Sequence, residues 1–125
     1  MTNIKIPISV GELIDKLSIL KIKMEKINDS KKLEYITEEF NLLRDSSNKF
    51  LEKKNIGILF DEIYEVNKKL WHVEDLIREK EKNNEFDSEF IQLARKVYIT
   101  NDLRFKLKNE INNITNSKIK EQKNF

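Results

Sequence analysis

An all-α, antiparallel up-down bundle of four long helices is the fold this sequence predicts, and three observations predict it. Apolar residues recur every three or four positions through four long segments. One proline and two glycines in 125 residues leave little material for the turns of a sheet protein. The breaks between segments are short and polar, as in "NDS" and "NNEFD", which suits neighbouring helices joined tightly. Residues 1–125 form one helical-bundle domain with a modest core, of which about 117–125 is expected to be a frayed polar tail.

Each element has its own local signal. "IKIPI", residues 4–8, alternates and reads as a short extended segment, an edge strand at most because of Pro7. Ser9 to Glu12 is a capping box, with Ile8 and Leu13 placed as a hydrophobic staple, so the first helix starts there. Its stripe is Val10, Leu13, Leu17, Leu20, Met24 and Ile27. Asn28 to Ser30 breaks the chain and offers caps to a second helix carrying Leu33, Ile36, Phe40, Leu43, Ser47 and Phe50. The pattern stutters around Lys53 to Gly57, where Asn55 is the expected cap of a third helix running to about Lys82. Asp87 caps the fourth, with Phe86 stapled to Ile91, and that helix runs to about Asn113.

Composition excludes several classes of function. There is no cysteine, which removes disulfides, thiol chemistry and cysteine-built zinc sites. A single histidine removes multi-histidine metal sites, and His72 falls on the outer side of its helix. The 24 basic and 22 acidic residues are interspersed, with a net charge of +2, so no nucleic-acid partner is expected. "MTNIKIPIS" lacks the apolar core and cleavage site of a signal peptide, and no apolar run is long enough for a bilayer, so the expected location is cytoplasmic. No P-loop, nucleophile elbow or glycine-rich phosphate loop is present, and no cofactor or metal is expected. Glu62 and Glu65 form an ExxE pair without the second acidic pair that magnesium would need.

The unusual chemistry lies along one seam. Beside the apolar stripe Ile63, Val66, Leu70, Val73 and Ile77 runs a second line: Asn67, Trp71, Glu74, Arg78 and Glu81. On the fourth helix the stripe Phe90, Ala94 and Val97 continues into Asn101, Arg104 and Lys108, polar where apolar residues are expected; Arg95, Tyr98, Asp102 and Phe105 lie nearby. With only four arginines against twenty lysines, Arg78, Arg95 and Arg104 draw notice, because a planar five-donor fork suits carboxylate or phosphate. Two readings stand. In the structural one, Glu74 and Glu81 pair with Arg78 or Lys108, and the Trp71 indole pairs with Asn101. In the functional one, Asn67, Trp71, Glu74, Arg78, Arg95, Tyr98, Asn101, Asp102 and Arg104 surround a polar ligand site between helices three and four.

The stretches "SVGELIDKLSILKIK", "VNKKLWHVEDLIREKE" and "FDSEFIQLARKVYITNDLRFKLKNEIN" resemble a small family of bacterial and viral proteins classed only as a domain of unknown function. The resemblance spans Ile8 to about Lys123. It implies a family pattern matching Glu12, Asp15, Asn67, Trp71, Glu74, Asp75, Arg78, Glu81, Asp87, Arg95, Tyr98, Asn101, Asp102, Arg104 and Asn112, with Lys21 departing where an acid is more usual. It implies no activity.

The expectation that follows is a non-catalytic binding or accessory module for an anionic small molecule or the acidic segment of a protein partner. The alternatives are a small enzyme, with Glu74 as general acid or base and Arg95 or Arg104 as anion clamp, and an oligomeric scaffold. Ile19 and Ile22, with Tyr35 and Leu42, lie behind the core stripes and are expected to form a homodimer surface.

Overall fold

The computed structural model describes residues 2–124, so Met1 and Phe125, the two ends of the expected domain and tail, lie outside the described residues. It is all-helical, with α1 at Val10–Lys26, α2 at Ser30–Leu51, α3 at Lys54–Lys82 and α4 at Ser88–Ile114. No strand occurs among the described residues; residues 2–9 are non-helical and unpaired. No helix among the described residues is long and apolar enough to cross a membrane.

Three of the four helix starts follow from local chemistry. The side chain of Ser9 accepts from the Glu12 N–H at 3.0 Å, that of Asp29 from Lys32 at 2.9 Å, and that of Asp87 from Phe90 at 3.0 Å. Each satisfies one of the orphan donors at a helix N-terminus. Ser9→Ala should therefore lower stability by about 1 kcal/mol, read as a shift of the urea midpoint; an unchanged midpoint would remove Ser9 as the cap. The third helix corrects the expectation. Its cap is Lys53, which makes no side-chain cap bond, and Asn55 lies inside the first turn. The tight 52–53 connection leaves no room for an extended Asn55.

The helices pack as a rhombus rather than a square. α1 and α3 touch each other and both remaining helices, whereas α2 and α4 do not meet among the described residues. A helix on the short diagonal is surrounded, so α1 must bury more than one stripe. The expected stripe residues Leu13, Leu17 and Leu20 are buried, and so are Gly11, Ile14, Asp15, Ser18 and Ile22. The main apolar cluster is Ile14, Ile56, Leu59, Ile63, Leu107 and Ile111. α2 sits at the far corner and buries only Ser47 fully; Leu33, Ile36, Phe40, Leu43 and Phe50 are half-buried.

This arrangement removes the expected homodimer surface on α1. Ile22 is 1% exposed and packed within the chain, and Ile19 is half-buried. Tyr35 and Leu42 do lie exposed on α2. The expected frayed tail is also corrected. Ser117 is buried, its hydroxyl accepts from the Val10 N–H at 3.2 Å and donates to the Ile119 carbonyl at 2.8 Å. Residues 115–124 thus include a strap laid over the start of α1.

Candidate functional site

The site grows from a second stripe on α1. Gly11, Asp15, Ser18 and Ile22 follow one another by 4, 3 and 4 residues and face α3 and α4. Asp15 is fully buried. A carboxylate there is tolerable only with partners for its lone pairs, and three donors reach it. Arg104 gives Nε to Oδ1 at 2.9 Å and Nη2 to Oδ2 at 2.5 Å, a bidentate fork. Asn67 Nδ2 donates to Oδ1 at 2.9 Å and also to Ser18 Oγ at 2.8 Å. Ser18 in turn donates to the Asp15 main-chain carbonyl at 2.7 Å. One acid on α1 therefore ties α3 and α4 together. Donating to the Asp15 carboxylate raises the Arg104 pKa against the opposing effect of burial.

Arg104 is not consumed by this pair. Its side chain is 28% exposed, and Nη1 has no protein partner among the described residues. It lines a half-open cleft of about 310 Å³ with Asn67 and Asn101, the apolar wall of Ile19, Ile22, Leu70 and Trp71, and Lys23 and Glu74. On the other side Arg104 and Asn101 border a small polar recess with Phe105, Lys108, Glu121 and Lys123. Lys108 is buried and bridges Glu12 and Glu121, each at 2.8 Å. Burial opposes its charge, but the two carboxylates outweigh that and hold its pKa above the ordinary lysine value.

Of the nine residues expected in the site, five line the cleft: Asn67, Trp71, Glu74, Asn101 and Arg104. Arg78, Arg95, Tyr98 and Asp102 are exposed and do not line it. Glu74 also makes no ion pair or hydrogen bond among the described residues, so neither it nor Arg78 belongs to the charge network that the structural reading assumed. Glu74→Gln should change stability by less than about 0.5 kcal/mol; a loss of more than 1 kcal/mol in denaturant unfolding would show that Glu74 has a structural partner. Ala94 is exposed and admits no close helix approach.

Periodicity on α3 and α4 missed what α1 and the tail contribute. Asp15 and Ser18 are the true partners of Arg104 and Asn67, and Glu12 and Glu121 those of Lys108. The 4, 3, 4 run of Gly11, Asp15, Ser18 and Ile22 was the available signal on α1. Glu121 had none, because it sits in a polar segment without periodicity.

A family model described as a family of unknown function, DUF6165, matches residues 4–125. No curated protein and no solved structure matches the chain.

Proposed function

This chain belongs to DUF6165, a family of unknown function, and on that premise we propose that it is a non-catalytic binding module whose α1–α3–α4 cleft holds a small molecule with an acidic group on an apolar body. One observation carries this reading. Arg104 is oriented by its fork on the buried Asp15, keeps 28% of its side chain exposed, and lines the cleft together with Trp71. A preorganised fork loses little freedom on binding, and the half-buried Trp71 and Ile19 supply apolar area. Asp15 already balances the Arg104 charge, and the cleft lining also holds one lysine, Lys23, and one further acid, Glu74. Binding would then rest on directed hydrogen bonds and apolar burial, with a shallow dependence on salt.

The acidic segment of a protein partner would satisfy the same fork. An enzyme has less support. Asp15 has both carboxylate oxygens engaged by Arg104 and Asn67, and Glu74 stands exposed at the cleft edge, where water competes for any proton it moves.

Trp71 is the single tryptophan of the chain, which makes it a reporter placed in the cleft. Protein taken from its own cells should carry an additional mass by native mass spectrometry. That compound, added back, should change Trp71 fluorescence, with an affinity insensitive to moderate salt. A bare mass, together with no fluorescence response to a panel of carboxylates and phosphate esters, would overturn the reading.

A further inference from the structure

The rhombic packing leaves one α3–α4 groove uncovered, on a face separate from the cleft. It is lined by Ile58, Val66, Leu103 and Leu107, with Asp61, Glu62 and Glu65 along its α3 side. Ile58 and Leu103 are about half exposed. No basic residue is among its lining, so the groove is apolar at the base and acidic at the rim. Elsewhere the chain carries a segment of the opposite character. Residues 2–8, "TNIKIPI", hold three isoleucines and one lysine and no acid. Ile4 is 78% exposed and Ile6 is 69% exposed, and neither packs on its own helices.

Two unpartnered apolar features of complementary charge are present on one molecule. Pro7 forbids a helical continuation of α1 and holds Ile6 to extended conformations. In an extended segment Ile4, Ile6 and Ile8 share one face, and Lys5 emerges on the other with a stem long enough to reach a rim carboxylate. Pro7 also lacks a donor, and no sheet edge exists among the described residues, so side-chain burial in a groove suits this segment better than strand pairing.

We propose that the 2–8 segment of one copy lies in the α3–α4 groove of a second copy, Ile4 and Ile6 against Ile58, Val66, Leu103 and Leu107, and Lys5 against Asp61, Glu62 and Glu65. The exchange is reciprocal, and so builds a closed two-fold dimer in which each partner contributes one arm and one groove. The interface differs from any built on α1, whose isoleucines are used within the chain. It is independent of the cleft and stands or falls separately from the binding function.

The absence of cysteine in the chain makes the test direct. Full-length Ile6→Cys and Leu103→Cys proteins are prepared separately, mixed and oxidised. The expected product is a mixed disulfide dimer, in excess over either same-site dimer by about tenfold, while Ile6→Cys mixed with an α2 control, Glu38→Cys, gives none. In sedimentation, wild type is expected to be a dimer at micromolar concentration, and Lys5→Glu to weaken the dimer by about tenfold. Combining Lys5→Glu with Glu62→Lys should restore it. Leu103→Glu, on an exposed position, should give a monomer of unchanged helicity. A wild type that is monomeric at about 100 μM overturns the proposal. So does a mixed-disulfide yield no higher than the control. An intrachain bond in the doubly substituted Ile6→Cys/Leu103→Cys protein, without any crosslink on mixing, would mean that each arm occupies its own groove, and also overturns it.

Discussion

Arg104→Gln should lower the unfolding free energy by about 3 kcal/mol, the largest loss expected from any single side-chain change on the polar face. Asp15 would remain fully buried with only Asn67 donating to its side chain. A glutamine amide is shorter and cannot supply two parallel N–H groups to both carboxylate oxygens. The desolvation already incurred by Asp15 is not recovered, which is why breaking a buried pair is worse than never having it. Two further variants separate the contributions. Arg104→Lys keeps the charge and loses the fork, and should fall between wild type and Gln. Asp15→Asn with Arg104→Gln removes both charges and should be more stable than Arg104→Gln alone. The double-mutant cycle from urea unfolding should give a coupling of more than 1 kcal/mol. Additive losses would mean that Asp15 and Arg104 do not act as a pair.

Gly11→Ala should destabilise the protein by roughly 3 kcal/mol, although alanine is the better helix former. Gly11 lies where α1 meets α4. A Cβ there would overlap the Lys108 carbonyl oxygen and come within 2.9 Å of Asn112 Oδ1. Backbone cannot step aside as a side-chain tip can, so the two helices must part. That separation breaks the 2.7 Å bond from the Gly11 N–H to Asn112 Oδ1, between buried groups. It also loosens the strap, since Val10 donates to Ser117 beside it. Gly57→Ala is the matched control. The nearest atom to its Cβ would be the Leu51 carbonyl oxygen at an ordinary 3.7 Å, and it lies in the first turn of α3. That change should be neutral or stabilising by about 0.5 kcal/mol. Equal effects at the two glycines would refute the close approach of α1 and α4.

The contrast between Arg104 and Glu74 shows how far periodicity reached into the candidate site. The spacing along α3 and α4 correctly brought Asn67, Trp71, Glu74, Asn101 and Arg104 to one seam, because residues three and four apart share a face whatever packs on it. It paired them wrongly. Glu74 and Glu81 were expected to pair with Arg78 or Lys108, yet Lys108 takes Glu12 and Glu121, and Arg104 takes an acid from α1. A rhombic packing puts α1 against both α3 and α4, and an arginine chooses the carboxylate it can desolvate with two bonds over one that stays in water.

The expected stripe of α4, Phe90, Ala94 and Val97, is not buried; local pattern alone determined the four helices, the caps at Ser9 and Asp87, and much of the buried stripes of α1 and α3. These depend on contacts within one or two turns, which are written in neighbouring residues. The cap of α3 escaped because a two-residue connection, rather than the chemistry of Asn55, set where that helix begins. Tertiary structure alone decided that α1 is central and that Ile22 belongs to the interior. It decided, too, that a polar tail is a strap and that Asp15 is the counter-charge of Arg104. The bonds responsible join residues 107 apart in sequence for Val10 and Ser117, 101 apart for Gly11 and Asn112, and 89 apart for Asp15 and Arg104. At such separations a partner is selected by the geometry of helix packing, and the periodicity of one helix holds no information about which other helix will lie against it.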